Sequence, residues 1–152
     1  MVPFIRRLVL GGEHARPWFR WPIVAVLAAL LTFGAYAVGV FHIEGGVILL
    51  PGQAALLGIL LGVVTGYARA GLISAWLVVY GPLVGHRADH AFLGLSGRTV
   101  TEQAAYFFQL EGLVINAMMA AVLAVGTYAI GWLLHLAVRV LSSDVPLRDQ
   151  FG

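Results

Sequence analysis

Long apolar runs alternate along the chain with short polar joints. Four runs are almost free of charge, at about residues 22–41, 47–67, 70–84 and 113–138. They lack the polar face that an amphipathic surface helix must show to water. A helix of about 20 apolar residues matches a bilayer core about 30 Å thick, so each run reads as a membrane-crossing helix. Little more than Ala68 and Arg69 separates the second run from the third. That forces a tight helical hairpin, because the two runs together are nearly twice the length that one crossing takes. Pro51 marks the first turn of the second helix, where proline is tolerated. The third run is short, and Pro82 sits near its end. The fourth is longer than a crossing needs, so it tilts or emerges. The pattern therefore predicts an all-α integral membrane protein, a single domain over 1–152 built as a bundle of four transmembrane helices.

The polar joints are short except at 85–111, the only sizeable external segment. Its L-S-G at 95–97 is turn chemistry. The T-V-T-E at 99–102 matches a capping box, in which Thr99 and Glu102 satisfy each other's backbone N–H groups. A helix starting there leads toward the fourth run, with a bend expected at Gly112. Segment 1–20 reads either as an amphipathic piece lying along the inner membrane surface or as a plain tail. Residues 142–152 read as a short polar tail.

Composition sharpens this picture. Hydrophobic residues make up 61% and charged residues 11%, against roughly 25% charged in an average soluble protein. Mean hydropathy is +0.92. So few polar residues cannot coat a water-soluble domain, whereas lipid needs no such coat. The chain has no cysteine, which excludes disulfides, zinc–thiolate sites and thiol catalysis. All nine basic residues are arginine, and their placement is informative. With four crossings, Arg6, Arg7, Arg16, Arg20, Arg69, Arg139 and Arg148 fall on one side, and only Arg87 and Arg98 on the other. The positive-inside rule then places both termini in the cytoplasm of a multi-pass protein of the cell membrane. Trp18, Phe19 and Trp21 at one boundary, and Tyr106, Phe107 and Phe108 at the other, suit interfacial aromatic belts. The A-Y-A at 35–37 resembles a signal-cleavage site, but the long leader and the run's continuation beyond it argue against cleavage.

Small residues recur at helical spacing. Gly58, Gly62 and Gly66 form two overlapping G-x-x-x-G repeats, extended by Ala54. Residues four apart share a helix face, and a glycine face lets another backbone come close. In the fourth run Gln109, Gly112, Asn116, Ala120, Ala124, Thr127 and Gly131 form one small and polar stripe bordered by His135. The stripe is expected to face protein, with Asn116 hydrogen-bonding a neighbouring helix for about 0.6 kcal/mol. The partner is either another helix of this chain or a second protein in a homo- or hetero-oligomer.

Candidate chemistry collects outside. The G-H-R-A-D-H-A-F at 85–92 would aim His86, Asp89 and His90 one way on a helix. His42 and Glu44 leave the first run on the same side. Imidazole and carboxylate suit zinc or a similar divalent ion. Against this, Pro82 and Gly85 disfavour a helix there, and a polar loop with Arg87 and Asp89 facing water and headgroups accounts for the same residues. H-R-A-D-H also departs from the zinc-protease spacing H-x-x-E-H, having Asp for Glu. No metal is favoured and no cofactor is expected. Phosphate-loop, dinucleotide and nucleic-acid motifs are absent from the sequence. Glu111 and His135 lie at opposite ends of the fourth run, which is no proton relay. The expected function is a non-enzymatic structural or accessory membrane subunit that packs through its small-residue faces. The alternatives are an oligomeric transporter or channel component, and a membrane metalloprotein using the external histidines.

Overall fold

The computed structural model describes residues 6, 8–11, 20–42, 51–95 and 97–143. Glu44, Arg7, Arg16, Trp18, Phe19, Arg148, residues 43–50 and the final residues 144–152 lie outside the described set. The elements are α1 (Arg20–Ala37), α2 (Gly52–Tyr67), α3 (Leu72–Asp89), a π-helical turn (His90–Gly94), α4 (Val100–Phe107) and α5 (Leu110–Ser143). No strand occurs among the described residues. Two helices, α1 and α5, are long and apolar enough to cross a membrane, while α2 is apolar but only 16 residues long. Bulky apolar side chains such as Leu30, Leu31, Met118, Val122 and Leu133 point outward.

The hub is α3, which packs against α1, α2 and α5, while α5 also packs against α2. Facing pairs give the directions. Ala25 lies by Gly81 and Ala29 by Gly85, so α1 and α3 run parallel. Thr127 lies by Gly62 and Gly131 by Gly66, so α2 and α5 also run parallel. The core joins Ala75, Val79 and Leu83 of α3 to Ala120, Ala124 and Tyr128 of α5. On each helix those residues are four apart, one stripe per helix. The alanines bring the two backbones close, where dispersion between many atoms accumulates.

The α2–α3 turn depends on its backbone. Arg69 has φ 55° and Gly71 φ 95°, both in the left-handed region where a β-carbon is costly. At Gly71 a Cβ would also sit 2.5 Å from the Gly11 nitrogen, because residues 9–11 lie against this turn. Glycine is therefore required there on two grounds.

Two boundaries differ from expectation. Pro82 does not end α3, and the stretch from Gly85 to His90 is helical after all. A proline inside a helix leaves the carbonyl one turn back without its N–H partner. Here Pro82 is fully buried, beside Gly81 and Gly85, which admit the α1 backbone, so packing sustains the helix across the defect. The second difference is the break before α5. It falls at Phe108 and Gln109, and Gly112 is inside the helix.

Candidate functional site

Of the polar residues singled out in the sequence, His86 and Asp89 lie on the last turns of α3, His90 opens the π turn, and Thr99 and Glu102 begin α4. Thr99 starts α4 as its spacing predicts. Its backbone N–H donates to Glu102 Oε2 at 2.8 Å, its hydroxyl donates to the same oxygen at 2.9 Å, and it accepts from the Glu102 N–H at 3.4 Å. These bonds to the Thr99 backbone and hydroxyl hold the Glu102 carboxyl below its ordinary range.

Arg87 was expected to face water and headgroups, and it does something else. Its guanidinium donates to the carbonyls of Tyr106 (2.7 Å), Phe107 (3.0 Å) and Gln109 (3.3 Å). These are carbonyls of the last turn of α4 and its exit, where helix carbonyls run short of backbone donors; those of Tyr106 and Gln109 also accept from the Gln109 and Leu113 N–H groups. The same group sits 5.2 Å from the centre of the Tyr106 ring, a cation–π distance. It passes directly over Gly112, where a Cβ would overlap it. One side chain of α3 thus ties down the end of α4 and the start of α5. The expectation for Asp89 also fails, since this residue is only 4% exposed.

The histidines diverge. The His86 ring packs on Tyr36 of α1, with centroids 4.8 Å apart, and the His90 ring packs on Tyr106 of α4 at 5.7 Å. The π turn starts at His90, whose N–H still donates to the His86 carbonyl one turn back, so the two residues stay in helical register while their rings take different aromatic partners. α1 and α3 are neighbours, as a shared site would need, yet His42 is exposed. Among the described residues no group of three His, Asp or Glu side chains is placed to hold a metal ion.

Two buried polar atoms between α1 and α3 have no hydrogen-bond partner among the described residues, Thr32 Oγ1 and His86 Nδ1. Thr32 is fully buried and lies against Gly85. An unpaired buried polar group costs about 1–3 kcal/mol. Nothing in the sequence announced this pair.

The small-residue faces are occupied within the chain. Gly58 faces Val79, Gly62 faces Val79 and Thr127, and Gly66 faces the Tyr128 backbone. Ala120 and Thr127 are buried on α5. The Thr127 hydroxyl donates back to the Leu123 carbonyl at 2.8 Å, and its oxygen and Cβ lie against Gly62. Asn116 is half-buried. The hydrogen bond between helices at this level is made by its neighbour, with Trp76 Nε1 of α3 donating to the Ala117 carbonyl at 2.9 Å.

No protein-family model, curated protein or solved structure matches this chain.

Proposed function

We propose that the protein is a small multi-pass subunit of the cell membrane, with four crossing helices, both termini cytoplasmic, and a structural or accessory role without catalysis of its own. The observation that carries this reading is how the chemistry-bearing side chains are employed. Arg87 caps carbonyls, Glu102 closes a capping box, and the histidines lie on aromatic rings. Each is engaged in structural contacts: Arg87 and His90 hold the outer segment to the helices, Glu102 starts α4 within it, and His86 packs α3 on α1. The bulky apolar exterior of α1 and α5 supports burial in lipid and contact with partner helices. The arginines support the orientation. Arg20, Arg69 and Arg139 sit at the end of the helices opposite Arg87 and Arg98.

Isolation from native membrane in mild detergent tests the role. A stoichiometric membrane partner is the expected result. A lone protein that conducts a solute across liposomes overturns the reading in favour of a transporter or channel. Orientation has its own test. A thiol label on Arg98→Cys, in a chain otherwise free of cysteine, should react from outside intact cells, and labelling only from the cytoplasm reverses the threading.

A further inference from the structure

Two apolar pockets of about 310 and 300 Å³ lie between α3 and α5 at the end near the α2–α3 turn. Both are lined by Leu72 and Val125, so they form one groove. Along α5 it runs from Ala121 to Trp132. At 1.5 Å per residue that is about 16 Å, close to the depth of one leaflet, half of a core about 30 Å thick. Leu8 and Val9 form its other wall. Its lining is apolar throughout, apart from the Tyr128 hydroxyl and the Trp indoles.

Charge is concentrated at one end of this groove. Arg69 is exposed. It is in the turn immediately before Leu72, and it pairs with no carboxylate among the described residues. Arg6 is exposed one turn before the Leu8 and Val9 wall. An apolar channel one leaflet long, with an exposed guanidinium at its mouth, complements an anionic amphiphile with an acyl chain. We infer that this groove is a binding site for an anionic phospholipid of the inner leaflet, with one acyl chain between α3 and α5 and the phosphate at Arg69. The inference rests on the membrane reading proposed above.

The groove carries its own reporters, because Trp76 lines one end and Trp132 the other. In a Trp18→Phe/Trp21→Phe background they are the remaining two of the four tryptophans. The protein is reconstituted in bilayers containing either brominated phosphatidylglycerol or brominated phosphatidylcholine, and tryptophan quenching is titrated. Half-maximal quenching should need about fivefold less of the anionic lipid, the preference one arginine confers near an anionic headgroup. Arg69→Asn should abolish the preference; asparagine tolerates the left-handed backbone, so the turn is retained. Ala121→Phe, on an exposed lining position, should reduce quenching of Trp76 by both lipids. Equal quenching by the two headgroups overturns the inference, as does a preference that survives Arg69→Asn. Disulfide dimers from an Ala121→Cys variant would assign the groove to a second copy and overturn it too. Quenching by neither lipid, with protein recovered outside the bilayer, removes the membrane reading itself.

Discussion

At the scale of single residues, Arg87 is the side chain on which most depends. It serves three carbonyls and one aromatic ring at once. Hydrogen bonds from a charged donor contribute about 1.5–3 kcal/mol, so Arg87→Ala should lower stability by about 2 kcal/mol in a detergent melting experiment. Arg87→Lys should recover only part of this, since an ammonium lacks the planar fork. A loss under 0.5 kcal/mol for Arg87→Ala would mean the contacts carry little. None of this was legible in H-R-A-D-H, because the partners are backbone atoms some 20 residues away, and carbonyls leave no mark in a sequence. The spacing pointed to a ligand set, while the fold used the arginine between the histidines. Thr32 gives the opposite kind of prediction. Its hydroxyl is buried without a partner, and replacement by an apolar group of the same shape removes that cost. Thr32→Val should therefore raise the melting temperature or leave it unchanged, and a clear drop would show that the hydroxyl is paired in the working protein.

At the scale of helices, the glycines separate into two kinds. Gly66 faces the Tyr128 backbone, which cannot move aside, whereas Gly126 has open space where a Cβ would go. Gly66→Leu should cost about 3 kcal/mol or prevent assembly, the upper range for overpacking. Gly126→Ala should gain about 0.5–1 kcal/mol, the usual penalty for glycine inside a helix. The four-residue spacing marked the α2 glycines as a contact face, and it could not say which helix covers them. That depends on α5 returning parallel to α2 after the segment 90–109. Local signals fared best at α4, where Thr99 and Glu102 meet as their spacing requires. Pro82 misled because its penalty is local, whereas the burial that offsets it comes from α1. The box also gives α4 a pH response. The Glu102 carboxyl is held below its ordinary value of 4.5, so its stabilising effect is complete above that value and is lost as pH falls through the lower value of the folded chain. Amide exchange in the first turn of α4 should accelerate in that acid window. In Glu102→Gln, which keeps a capping acceptor without a titrating carboxyl, the pH step should disappear; a step that persists would assign it to another group.

At the scale of the whole molecule, the apolar runs were enough to foresee an all-helical chain with two helices long and apolar enough for a membrane. Which helix sits in the centre was not foreseeable, since α3 is neither the most apolar nor the longest. Its place follows from small residues on more than one side, with Gly81 and Gly85 toward α1, and Ala75 and Val79 toward α5. One consequence concerns the order of manufacture. Among the described residues, extensive contact between α1 and the other helices is through α3 alone, yet a ribosome finishes α1 long before residues 72–89 exist. The first helix must wait unpartnered until the third is made, and nothing requires that both belong to one polypeptide while it waits. Two fragments, 1–46 and 47–152, made together in one cell should find each other and copurify. Gly81→Leu in the larger fragment, which blocks the place where Ala25 rests, should keep them apart.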